Sequence, residues 1–136
     1  MAVVEELLRE EADGTISFGN HTLAEKAKVE DFPHDGDLYK VKTFQTMTKL
    51  EKNGMFLYES VPGTSVIHFD EKEDGVSFIV DGDNDAQLTL GLAENTEYQV
   101  WIGDDSIGTL KSNLSGKMNI SVALADASEL KVQIKK

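Results

Sequence analysis

From Thr64 onward, apolar and polar residues alternate with a period of two, segment after segment. That period belongs to half-buried strands, because successive side chains of an extended chain point to opposite faces of a sheet. Val76, Phe78 and Val80 share one face; Leu88, Leu90 and Leu92 form the next such run. Tyr98, Val100 and Ile102 follow, then Met118, Ile120, Val122 and Leu124, and finally Leu130, Val132 and Ile134. With Ser65–Phe69 and Ile107–Lys111 the tally is seven strands in about 75 residues, separated by turn clusters such as Glu73-Asp74-Gly75 and Asp81-Gly82-Asp83-Asn84. Spacing of this kind predicts an all-β chain in which residues 63–136 form a seven-strand sandwich of immunoglobulin- or fibronectin-like type.

The first sixty residues read as less regular β structure. Ile16 and Phe18 alternate, as do Ala27 and Val29, and Tyr39 and Val41. Asn53-Gly54 between Lys49–Lys52 and Met55–Tyr58 is a strong hairpin signal, because both central residues of a type I′ turn take positive φ. Val3–Glu11 fits either a short helix or a first strand, and nine uncapped residues make a marginal helix, which favours the strand. Pro62-Gly63 is the natural boundary, since proline cannot donate to a ladder. The expectation is an N-terminal β lobe, 1–62, packed on the 63–136 sandwich. A segment of 62 residues is marginal as an independent domain.

Twenty-five acidic residues against thirteen basic ones leave a net charge of −12. A field of that sign repels polyanions and anionic bilayers, so neither nucleic acid nor membrane is an expected partner. There is no cysteine, which removes disulfides, thiolate nucleophiles and cysteine metal clusters. Nothing at the start reads as a signal peptide, no run reaches a membrane span, and a cytoplasmic location is the expectation.

Two groups of residues stand out as candidate sites. If the seven strands meander, alternate loops share one end, and Asp81, Asp83, Asp85, Asp104, Asp105 and Asp126 would line a single rim with the oxygen ligands that calcium prefers. The alternative is ordinary turns, where Asp and Asn satisfy nearby backbone. Trp101 and Gln99 should point away from the face that carries Tyr98, Val100 and Ile102. An aromatic ring beside an amide suits sugar stacking or an interface anchor, unless the N-terminal lobe or a second subunit covers it. His21, His34 and His68 show no metal spacing, and there is no Gly-x-Ser-x-Gly elbow or phosphate loop. The acids offer no pair marked out for glycoside hydrolysis.

The stretch Asp37-Leu38-Tyr39-Lys40-Val41-Lys42-Thr43-Phe44, with Leu50-Glu51-Lys52-Asn53-Gly54-Met55-Phe56-Leu57-Tyr58-Glu59-Ser60-Val61-Pro62-Gly63-Thr64, resembles a family of short bacterial proteins that often carry an automatic endosialidase label. The resemblance runs along most of the chain and implies a cytoplasmic protein. Sialic-acid chemistry calls on a cluster of arginines for the sugar carboxylate, and the chain has one, Arg9. No catalytic residue is carried over. The leading expectation is therefore a non-enzymatic interaction module, self-associating or binding another protein. The alternatives are a carbohydrate-binding accessory module using Trp101, with or without calcium, and an unusual glycoside-active enzyme.

Overall fold

The structure, a computed structural model, describes residues 3–125 and 129–136. Its regular elements are thirteen strands, and among the described residues no helix is long and apolar enough to cross a membrane. The first six are β1 (Leu8–Glu10), β2 (Ile16–Phe18), β3 (Ala27–His34), β4 (Asp37–Thr43), β5 (Thr48–Lys52) and β6 (Met55–Val61). After Pro62 come β7 (Ser65–Lys72), β8 (Gly75–Asp81), β9 (Ala86–Gly91), β10 (Glu97–Ile102), β11 (Asp105–Lys111), β12 (Lys117–Val122) and β13 (Leu130–Lys135). All seven strands expected beyond residue 63 are therefore present. Of the segment Val3–Glu11, only Leu8–Glu10 is strand; Leu7, at φ 73°, turns the chain before it.

The strands form two antiparallel sheets, ordered β1-β2-β7-β8-β13-β10-β11 and β12-β9-β6-β5-β4-β3. Their inner faces share one core. The seven-stranded sheet contributes Phe18, Val66, Phe78, Val80, Val100 and Val132; the six-stranded sheet contributes Val41, Leu50, Tyr58, Leu88, Leu90 and Ile120. Strand alternation is what makes this possible, since every second residue of β8, β9, β12 and β13 faces inward. At the centre, Tyr58 meets Phe18 edge-on at 5.2 Å and Phe78 at 5.6 Å, while Phe69 stacks on Phe78 at 5.6 Å. Such aromatic contacts contribute ~0.5–1.5 kcal/mol each beyond the area they bury.

Strands from both sides of Pro62 enter both sheets. β2 pairs with β7, placing Phe18 opposite Val66, and β6 pairs with β9, placing Tyr58 opposite Leu90. The expected 1–62 lobe and 63–136 sandwich thus share ladders and a core instead of meeting as two layers. Pro62-Gly63 is where the chain leaves the six-stranded sheet for the seven-stranded one. Gly63 is required there, because a Cβ would lie 1.9 Å from the Phe44 carbonyl oxygen.

The Asn53-Gly54 turn joins β5 and β6 as its sequence requires, with φ of 53° and 80°. Asn53 also braces the neighbouring hairpin: its Oδ1 accepts from the Leu38 amide at 2.9 Å, and its Nδ2 donates to Asp37 at 2.8 Å. β3 runs further than Ala27 and Val29 suggested, continuing past a bulge at Asp31 to His34. Pro33 is tolerated there because β3 is an edge strand.

Candidate functional site

The two ends of the sandwich differ. At one, between the β5–β6 and β7–β8 hairpins, the sheets part around a cleft of about 510 Å³. Phe69, Val76 and Tyr98 wall it on one side, and Leu57 and Leu90 on the other, while Phe56 stands at the lip, with its ring beside Lys49 and Lys117 on the outer face. These side chains are there because the inward positions of β6, β7, β8, β9 and β10 continue to the strand ends. Phe69 belongs to the central aromatic cluster, so the cleft is floored by well-packed rings. A concave, mainly apolar space of this size lies within the range of small-molecule sites, ~300–1,000 Å³.

Charge is confined to the lip. Lys52, Lys72 and Lys117 alternate with Glu71, Glu73 and Glu94 around the opening. Lys52, at the end of β5, donates to Glu71 of β7 at 2.6 Å and so ties one sheet to the other. That hydrogen bond holds the Lys52 ammonium above the usual lysine range, against the opposing effect of partial burial. Lys72 faces Asp70 at 3.5 Å. Lys117 has no carboxylate partner among the described residues; its ammonium lies 4.8 Å from the centre of the Phe56 ring. Met55, 70% exposed, projects beside the mouth.

The opposite end is sewn shut by hydroxyls. Thr43, Thr48 and Ser60 stand in register across β4, β5 and β6, and all three are buried. Thr43 and Thr48 share a hydrogen bond of 2.8 Å. Thr48 Oγ1 donates to the Thr64 carbonyl at 2.7 Å and accepts from its amide at 3.2 Å. Thr64 Oγ1 in turn bonds Ser60 at 2.8 Å and the Tyr58 hydroxyl at 2.7 Å. Burial raises the Tyr58 phenol far above its ordinary range, so it serves only as a neutral hydrogen-bonding group.

The same end brings a serine, a histidine and an aspartate together. His21 Nδ1 lies 2.7 Å from Ser65 Oγ, and His21 Nε2 lies 3.7 Å from Asp83 Oδ1. Catalysis would need Ser65 to meet a substrate, yet its exposure is 0% and its hydroxyl also accepts from the His21 amide at 3.3 Å. This trio fastens the turn after β2 onto β7; it does not present a nucleophile.

The acidic loops lie at this sealed end as well. Val80 is paired with Leu130 and Ile102 with Val132, so the connections after β8, β10 and β12 leave the sheets on the same side. A simple meander is not required for this; the chain crosses between sheets after β8 and again after β12. The carboxylates nevertheless serve local partners. Asp81 is buried and accepts from the Gly82 amide at 2.8 Å; Asp85 accepts from the Ala125 amide at 3.1 Å. Asp83 stands beside His21, while Asp104 is exposed in the β10–β11 turn and Asp105, also exposed, opens β11. Among the described residues no three acidic or histidine side chains are placed to hold a metal ion. Asp126 lies outside the described residues.

Trp101 sits on β10 opposite Gln133 of β13 and Ser106 of β11, half-buried, with Gln99 exposed two residues before it. Tyr98 and Val100 are buried in the core, so the tryptophan belongs to the outer face of the seven-stranded sheet. A bulge against β11 falls between Val100 and Trp101.

Comparison with known proteins finds no matching family model, no similar curated protein and no similar solved structure. The cleft escaped the sequence reading because its walls have the same alternating residues as a closed core. Its lysines read as ordinary strand-end charges. The available signal was the pair of glycines, Gly75 and Gly91, which end the inward runs where the sheets part.

Proposed function

We propose that the protein is a non-enzymatic binding module whose ligand has an apolar body and enters the inter-sheet cleft. The observation that carries this reading is the cleft itself: a mainly apolar space above an aromatic floor, with charges around its mouth. Burying an aliphatic chain there gains ~0.8 kcal/mol per methylene, enough for a medium chain to bind measurably. The absence of an exposed nucleophile at the Ser65–His21 pair speaks for binding over hydrolysis at that place.

The test is a titration of the protein with 1-octanol, followed by methyl NMR. Saturable shifts are expected for Val76, Leu57 and Leu90, with Val41 and Val122 at the sealed end unmoved. Val76→Phe, which fills the cleft, should abolish them. Shifts that never saturate, or that spread evenly over the core, would remove the cleft as a site.

A second reading rests on Trp101, half-exposed on the outer face with Gln99 and Gln133 beside it. An aromatic face flanked by amides suits a carbohydrate, and a glycan titration followed by tryptophan fluorescence tests it. For residues 63–136, kinship with immunoglobulin- or fibronectin-type modules is supported by the count of seven strands in two sheets. The order is the chain's own, since β8 pairs with the last strand, β13, where an immunoglobulin domain pairs its second strand with its fifth.

A further inference from the structure

We infer that the cleft selects an apolar chain carrying one neutral hydrogen-bond acceptor, a carbonyl oxygen above all, and that the Tyr98 hydroxyl donates to it. This rests on the cleft being a ligand site. Of the rings that line the cleft, Phe56, Phe69 and Tyr98, only Tyr98 carries a hydroxyl. It is an inward residue of β10, paired with Leu110 and 2% exposed. Its oxygen accepts from the Ala93 amide at 3.1 Å, and Ala93 also lines the cleft, so the hydroxyl lies at the cleft wall. A phenol has one proton to give as well as lone pairs to offer. The Ala93 bond occupies a lone pair, and the proton has no acceptor among the described residues. Tyr58 shows the contrast, since its hydroxyl is bonded to that of Thr64 at 2.7 Å. A nearly enclosed donor without an acceptor is unfavourable, and a ligand that supplies one removes the penalty. The donor is also held in place. Ser112, itself buried, donates to the Ala93 carbonyl at 2.5 Å and accepts from the Thr96 amide at 2.9 Å, while the Leu92 amide donates to the Gly116 carbonyl at 2.7 Å. These bonds fix the β9–β10 turn on the β11–β12 turn, and with it the amide that orients the phenol, so binding orders little. A carboxylate would have to leave water for a single neutral donor, beneath a lip that carries Glu71, Glu73 and Glu94. A carbonyl oxygen loses far less, and its chain lies against Phe69, Val76 and Leu90. The ligand class is a medium-chain ketone or ester.

The experiment titrates 2-octanone and its hydrocarbon isostere 2-methyl-1-octene into the protein, with the Val76 and Leu90 methyl shifts giving dissociation constants. The bond is neutral, so Tyr98→Phe should weaken 2-octanone by about threefold to tenfold and change the alkene by less than about twofold. Ala93 is exposed, so its amide can bond water in the variant, and unmoved Val41 and Val122 methyl signals check that the fold is kept. A second measurement uses the unaltered protein with isotope-labelled tyrosine Cζ. The Tyr98 signal should move when 2-octanone binds and not when the alkene binds, while the Tyr58 signal stays still. Sodium octanoate should bind at least about tenfold more weakly than 2-octanone at neutral pH; octanoate as tight as the ketone would overturn the preference for a neutral acceptor. Indifference of 2-octanone to Tyr98→Phe, or a Tyr98 Cζ signal that does not move on binding, would overturn the donor role while the cleft stands. An equal loss of ketone and alkene in Tyr98→Phe would make the ring a packing element of the wall and would overturn the role as well. If no probe gives saturable shifts, the cleft reading fails and this inference with it.

Discussion

Thr48 offers the sharpest test of how the closed end is held. Its hydroxyl serves three groups at once: it donates to the Thr64 carbonyl, accepts from the Thr64 amide and bonds the Thr43 hydroxyl. One hydroxyl carries one proton, so with that proton on the Thr64 carbonyl, Thr43 must be the donor to Thr48. Thr43 then accepts from the Asn20 amide at 2.9 Å, which extends the chain of bonds to the β2–β3 connection. Thr48→Val keeps the shape and strips the hydroxyl. It leaves two donors and one acceptor without their partners among buried residues, at ~1–3 kcal/mol for each unsatisfied group. The added methyl returns about 1 kcal/mol of apolar burial. The net loss is about 2–8 kcal/mol.

Thr48→Ser separates the hydroxyl from the methyl. Serine retains the bonds and loses one buried methyl, for about 1 kcal/mol. The measurement is urea unfolding of wild type and both variants. With a slope of about 2 kcal/mol/M, the valine variant should unfold about 1–4 M earlier than wild type, and the serine variant only about 0.5 M earlier. The order wild type, serine, valine is the decisive result. A valine variant as stable as the serine variant would show that shape and not hydrogen bonding closes this end, and the account of the hydroxyl row would be wrong.

Two glycines should behave oppositely in the same assay. Gly54→Ala meets nothing within 4 Å, so only the strain of its positive φ counts, about 1 kcal/mol. Gly91→Ala puts a Cβ 2.2 Å from the Phe56 carbonyl oxygen and must push β9 off β6, for about 2 kcal/mol or more; equal losses would contradict the geometry. The Glu11 carboxyl lies below its ordinary value of 4.5, first through its hydrogen bond from Ser17 and then through Arg9. Its contribution is therefore present above pH 4.5 and is lost as pH falls through the lower folded value, so Glu11→Gln should flatten the acid side of the stability profile; an unchanged profile would refute this. Trp101 should emit at long wavelength and be quenched by acrylamide in dilute protein, unaffected by octanol in the cleft. A blue, unquenched emission at every concentration would place the ring inside.

What the sequence discloses is strand existence; what it hides is strand membership. Val76, Phe78 and Val80 announce which face of β8 is buried, and so do Leu88 and Leu90 for β9. Alternation does not say that consecutive strands belong to different sheets, since both faces of the core accept the same residues. The crossing after Pro62 and the crossing after Asp81 therefore read as ordinary turns, and the division of the chain at residue 62 followed from that. Thr43, Thr48 and Ser60 are a different case. They occupy inward positions that the pattern marks, yet their polarity suggests solvent, and only the arrival of Thr64 from another part of the chain satisfies them. Trp101 was legible because its neighbours Val100 and Ile102 flank it in one unbroken strand. The cleft depends on how far two sheets separate, a quantity set by connections remote from its walls.

The placement of those connections explains why one end is open. The chain passes between sheets after β2, β6, β8 and β12 at the sealed end, and only after β9 and β11 at the cleft end. Four covalent links, the hydroxyl row and the His21–Ser65 contact hold the first end, so parting it would expose buried hydrogen bonds at ~1–3 kcal/mol each. At the other end, the β5–β6 and β7–β8 hairpins each stay within one sheet, and their tie across the mouth is the partly exposed Lys52–Glu71 pair. Such a pair is worth at most about 1 kcal/mol. The β5–β6 and β7–β8 lips are therefore joined across the mouth by a weaker tie than the hydroxyl row at the other end. A mouth tied by one partly exposed ion pair, above a packed aromatic cluster, fits the proposed binding of an apolar ligand.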